Sequence, residues 1–67
     1  MFLFNIDSFM DYINDEFFLS VDSVRIIKDT LYFAKENLNL SKKDFIGLIQ
    51  AINNELTDEE INQFIED

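Results

Sequence analysis

A single glycine and no proline in 67 residues constrain this chain more than any other feature. Hairpins need residues that accept φ > 0, and an all-β domain repeats them at every turn. Helices are therefore expected. Start signals recur along the chain: Ser8 with Asp11, Ser41 with Asp44 and Thr57 with Glu60 stand at capping-box spacing, where each side chain satisfies the other's free backbone N–H. Thr57-Asp58-Glu59-Glu60 is the clearest, because acids in a first turn also favour the positive end of the helix dipole. These signals predict helices over residues 7–18, 22–38, 42–55 and 58–66.

Each predicted helix carries an apolar stripe at helical spacing. In the first, Phe9, Ile13 and Phe17 recur every fourth residue with Met10 beside them, and in the second Val24, Ile27, Leu31, Ala34 and Leu38 alternate steps of three and four. The third offers Phe45, Leu48, Ile49, Ile52 and Leu56, and the fourth Ile61, Phe64 and Ile65. The connections at Leu19–Val21 and Asn39–Leu40 are short, which favours antiparallel neighbours. The expected fold is all-α, a compact antiparallel bundle of three to four short helices forming one domain over residues 1–67. With no cysteine to staple it, a chain this short must be held by packing or by association with another chain. The opening Met1-Phe2-Leu3-Phe4 with Ile6 has three open roles: covering one end of the bundle, extending the first helix, or touching a partner.

Histidine is absent as well as cysteine, so the chain has no Ser-His or Cys-His nucleophile pair and no usual transition-metal ligand set. Paired carboxylates remain, but glycoside cleavage needs a cleft around a sugar, and a short helical chain has little room for one. No D-x-[DN]-x-[DN]-G calcium loop occurs, and the one glycine, Gly47, lies in Phe45-Ile46-Gly47-Leu48, outside any phosphate-binding or dinucleotide fingerprint. The expectation is no enzyme, no cofactor and no metal. A formal charge of −9 disfavours direct binding of nucleic acid, which demands clustered Lys or Arg. No apolar run approaches the ~18 residues of a membrane span, and the first residues lack the basic flank and length of a signal peptide, so no membrane and a cytoplasmic location are expected.

Charge is unevenly placed. Residues 1–24 and 44–67 contain acids and no base, whereas Arg25, Lys28, Lys35, Lys42 and Lys43 all lie between them. The acidic ends either keep the chain soluble, dock a basic partner, or imitate nucleic-acid phosphates. Asp11 and Asp15 on the first helix, with Glu59, Glu60 and Glu66 on the last, are the acids that such docking would use.

Helix two has a second apolar line, Ile26 and Phe33, well around the cylinder from its main stripe. Either this helix sits centrally and buries both lines, or Ile26 and Phe33, with Phe18 or Phe2, stay exposed and dock on a partner or a second copy. Eight phenylalanines in so short a chain suit the second alternative. Tyr12 and Tyr32 are expected at the edge of the core, with their hydroxyls reaching water. On helix three, Gly47 and Ala51 leave a small-residue face beside Asn54 that is either simply exposed or approached by another helix.

The stretch Tyr32-Phe33-Ala34-Lys35-Glu36-Asn37-Leu38, then Leu40-Ser41 and Asp44-Phe45-Ile46-Gly47-Leu48-Ile49, resembles small helical-hairpin regulators. It is similar to the sporulation checkpoint inhibitor family Sda in its Tyr-Phe, Asp-Phe-Ile and Leu-Ile runs, and to the SinI anti-repressors in Ala-Lys-Glu and the following helix start. Each match spans residues 32–49 with a one-residue gap, and this chain adds a first and a fourth helix that those hairpins lack. The resemblance implies stoichiometric inhibition, by plugging a histidine kinase or breaking up a repressor oligomer. In composition the chain also resembles phage or mobile-element inhibitors such as anti-CRISPR proteins. The expected function is a small acidic inhibitor that occludes a protein target, such as a signalling kinase or a nucleic-acid-binding protein. The alternatives are a structural helical subunit forming a homodimer or part of a larger assembly, and an acidic nucleic-acid mimic.

Overall fold

The computed structural model describes residues 2–66. Met1 of the opening apolar segment and Asp67 among the C-terminal acids lie outside them. The described chain is mostly helical. It runs through strand β1 (Leu3–Phe4), helices α1 (Ile6–Phe17), α2 (Val21–Asn37), α3 (Lys42–Ile52) and α4 (Asp58–Asn62), and strand β2 (Ile65–Glu66). Its radius of gyration, 11.1 Å, is the ~11 Å of a close-packed chain of this length.

Capping side chains start each helix. Ser41 accepts from the Asp44 N–H to open α3, and Thr57 and Glu60 form a complete capping box at α4. Ser20, which the sequence analysis passed over, accepts from the Ser23 N–H to open α2. At α1 the cap is Asn5 rather than Ser8; the Ser8 N–H is instead the donor that the Asn5 side chain satisfies. Helix α3 stops at Ile52, short of residue 55, because the Asn53 side chain accepts from the Glu55 N–H and turns the chain, returning Leu56 to the core.

The largest departure from the expected all-α bundle lies at the two ends. Helix α4 ends at Asn62 rather than residue 66. The following residues turn, and β2 pairs antiparallel with β1, Leu3 opposite Glu66 and Phe4 opposite Ile65. The Asn5 N–H donates to the Phe64 carbonyl at 2.9 Å, extending the closure by one bond. Within the described part of the opening segment, Phe2, Phe4 and Ile6 pack against the helical core, and the segment does not extend α1. The turn also sets Phe64 against Phe9 and Tyr12, with ring centroids 5.5 Å away in both cases. Phe4 is the hub, 4.9 Å from Phe45, 5.3 Å from Phe9 and 6.5 Å from Phe64. Phe2 adds an edge contact to Phe45 at 5.4 Å and lies under the Lys35 ammonium, which also donates to the Phe4 carbonyl.

The core predicted from helical spacing is largely present. Phe9, Met10, Ile13, Leu31, Ala34, Phe45, Ile49, Leu56 and Ile61 are buried, joined by Phe4 and Ile6 from the opening segment. Phe17, Val24, Ile27, Leu48, Phe64 and Ile65 are half-buried, while Leu38 and Ile52, placed on the core stripes, are exposed near the ends of their helices. Among the described residues no polar or charged side chain is buried, and no helix is long and apolar enough to cross a membrane.

Candidate protein-docking surface

Helix α2 packs its Leu31 and Ala34 inward with Val24 and Ile27 half-buried beside them, and the face opposite this stripe is open. At about 100° per residue, Ile26 and Phe33 fall within about 20° of each other and more than about 90° from the middle of the buried stripe. No neighbour covers them. Ile26 is 62% exposed and Phe33 60% exposed, so the second apolar line of α2 faces solvent and is not packed centrally.

The polar residues beside this ridge are occupied by the helix's own backbone. Thr30 Oγ1 donates to the Ile26 carbonyl at 2.8 Å, and Asn37 Nδ2 donates to the Phe33 carbonyl at 3.2 Å. Acids flank the other side: Asp22, Asp29 and Glu36, all exposed, recur every seventh residue about 40–60° from the apolar ridge. The ridge is thus apolar on its crest and acidic along one edge.

Arg25 pairs with Asp22 on that edge, but Lys28 and Lys35 turn away from it. Lys28 Nζ reaches Asp7 Oδ1 at 3.1 Å, where the Tyr32 hydroxyl also donates at 3.1 Å, so both side chains bind α2 to the start of α1. The Lys28 bond first, and the Tyr32 bond second, hold the Asp7 carboxyl below its ordinary pKa, and the same contact raises Lys28. Lys35 is turned to the Phe4 carbonyl, and Arg25 pairs with Asp22 at 3.4 Å across an exposed helical turn. The middle of the sequence is basic, yet the crest of α2 is not.

At the corner between α1 and α2, Phe18 is 88% exposed and Val21 85% exposed. Phe18 is also the C-cap of α1, with φ 51° and ψ 53°, and its N–H donates to the Asn14 carbonyl at 2.9 Å. This is the left-handed conformation that glycine usually supplies at a helix end, and a side chain with a Cβ there costs about 1–2 kcal/mol. Among the described residues, Phe18 is the one non-glycine residue with positive φ, and its ring is left in water.

The five acids singled out from the sequence are dispersed over three elements. Asp11 and Asp15 are exposed on α1, Glu59 on α4 and Glu66 on β2. Glu60 is half-buried and engaged: it receives the Tyr12 hydroxyl at 2.7 Å and the Thr57 N–H at 3.0 Å. The Tyr12 bond, then those from Thr57, lower the Glu60 pKa, while the same hydrogen bond, reinforced by desolvation, pushes Tyr12 up to about 12. Glu60 therefore joins α1 to α4. Sequence reasoning missed Val21, Asp22, Asp29 and Glu36; the last three were legible as a seven-residue repeat beside Ile26 and Phe33.

Two concave features complete the surface. A shallow groove of about 490 Å³ between α3 and α4 is lined by Lys42, Lys43, Ile46, Gly47, Gln50, Asp58 and Asn62. Gly47 opens into it with nothing within 4 Å of where a Cβ would stand, so the small-residue face is exposed and no helix approaches it. A smaller apolar cavity, about 70 Å³, lies among Phe9, Ile13, Ile27, Leu31 and Ile49. Among the described residues, no three acidic side chains are gathered so as to hold a metal ion. No protein-family model matches the chain, and neither a curated protein nor a solved structure matches it.

Proposed function

We propose that this chain acts without chemistry, as a small acidic inhibitor or regulator that binds a target protein in the cytoplasm and occludes one of its functional surfaces. The exposed apolar ridge of Ile26 and Phe33 on α2 is the observation that carries the reading. Large apolar side chains left in water on a rigid helix are characteristic anchors of protein interfaces. Phe18 and Val21 are exposed at the corner between α1 and α2, with Val21 on a different face of the helix from the ridge. Four helices packed as an antiparallel bundle give α2 an inner face that folds the chain and an outer face free to bind. Stoichiometric blocking of this kind, by an anti-regulator or by a phage or mobile-element inhibitor of host machinery, needs no titratable group in a cleft.

The test uses the full chain as bait in lysate of its native host, washed at low and high salt, beside an Ile26→Asp/Phe33→Asp variant. A target retained at high salt by the first bait, lost from the second, and inhibited at equimolar ratio by the purified chain is the expected result. A tight homodimer through the same residues would replace inhibition with a structural role. Targets that bind nucleic acid and leave both baits equally at high salt would instead favour phosphate mimicry by the dispersed acids.

A further inference from the structure

Resting on α2 as the docking surface, we propose that its occupant is a basic amphipathic helix of the target protein. Ile26 and Phe33 would take positions a of successive heptads, and Asp22, Asp29 and Glu36 then fall at positions d. A two-stranded seam normally places apolar residues at both positions. Here one row is apolar and the other acidic, so the matching helix needs an apolar row against Ile26 and Phe33 with Lys or Arg against the acids.

Charge supports this choice over others. Of the bases on α2, Lys28 is spent on Asp7 and Lys35 on the Phe4 carbonyl, while Arg25 pairs with Asp22 and leaves Asp29 and Glu36 as the acids open to a partner. Asp29 and Glu36 make no ion pair with any described residue. A second copy is the poorer occupant. Parallel copies would set Asp29 on Asp29 and Glu36 on Glu36, antiparallel copies still bring both Asp29 side chains within a turn of each other, and each chain adds a charge of −9. The two crest side chains are a small part of the ~800 Å² that each partner buries in a stable complex, whichever occupant it is. The acidic row therefore lies inside the interface and selects a basic partner, while the crest holds the complex at high salt. Recognition is by side chains alone, since the α2 backbone is bonded within the helix, which suits a partner helix better than an added strand.

The test is a fluorescence-anisotropy titration of the full chain with a labelled helical peptide carrying Leu on one heptad row and Lys or Arg on the flanking row. A twin peptide carries Glu at every Lys or Arg. The wild-type chain should bind the basic peptide and not the twin. Asp29→Lys/Glu36→Lys should weaken the basic peptide by at least about tenfold and gain the acidic twin. Asp15→Lys/Glu59→Lys, an equal change of net charge away from α2, should weaken it by less than about threefold. Equal losses from the two charge reversals, binding of both peptides by wild type, or binding of neither would overturn the proposal. The same variants, checked for folding by circular dichroism and urea midpoint, are then tried on the protein target. A target lost with Ile26→Asp/Phe33→Asp but indifferent to Asp29→Lys/Glu36→Lys overturns the basic helix and leaves protein binding standing. A target indifferent to both removes α2 as the docking surface.

Discussion

The closure of the two chain ends and the crest of α2 both carry phenylalanine, and they use it in opposite ways. At the closure Phe2, Phe4, Phe9, Phe45 and Phe64 meet ring to ring at 4.9–6.5 Å, held by a two-residue sheet. On α2 Phe33 stands 60% exposed, and at the preceding corner Phe18 stands 88% exposed. The same residue type stabilises the fold in one region and leaves apolar area unsatisfied in the other. Burial, rather than hydrophobicity, separates what folds the chain from what remains for a partner.

The largest effect that would sharpen this contrast comes from truncating one ring on each side. Phe9→Ala should cost about 3–5 kcal/mol by emptying a packed site, enough to unfold most of a domain this small. Phe33→Ala should fall within about 0.5 kcal/mol of wild type. Urea denaturation of the two variants measures both. Comparable losses would mean that the crest of α2 is covered in the folded chain in solution.

A smaller effect of opposite sign is expected at the corner. Phe18→Gly relieves the Cβ clash at φ 51° and should stabilise the chain by about 0.5–1 kcal/mol after the entropy of glycine is counted. The same change should weaken target binding, because it removes an exposed apolar ring. A variant that gains stability and keeps full binding would take Phe18 out of the docking surface.

The smallest effect concerns the tie between α1 and α4. The Glu60 pKa is lowered in the folded chain, so its contribution is present above the ordinary carboxylate range and fades as pH falls through the lowered value. The Tyr12 pKa is raised from 10.0 to about 12, so its contribution is complete below pH 10.0 and fades toward about 12. Stability measured against pH should lose slope at both edges in Tyr12→Phe, while binding through α2 stays unchanged. Unaltered edges in that variant would mean that the Tyr12 to Glu60 bond does not hold the two helices together in solution.

Much of the fold was legible because it is local. Ser41, and Thr57 with Glu60, announce their helices through bonds spanning three residues, and the stripes of α1 and α3 follow from spacing alone. The Asn5 cap was missed because Ser8, an equally good capping residue, stands three positions later where the helix has already begun. The docking acids were sought at the ends, where the charge is densest, but Glu60 is drawn into the fold by Tyr12. Asp29 and Glu36, beside the crest, lie in the stretch that the charge count makes basic; their seven-residue spacing was legible, but the turning of Lys28 and Lys35 toward the core side was not.

The sequence by itself determined that the chain is mostly helical, where α3 and α4 begin, and that it carries neither histidine nor cysteine with which to do chemistry. The tertiary structure decided the rest. It paired Leu3 and Phe4 with residues more than sixty positions away, ended α4 early to form that pair, and left Ile26 and Phe33 largely exposed. Periodicity fixes where a side chain points around its own helix axis, but whether another element arrives to cover it depends on contacts between distant segments, which leave no local trace.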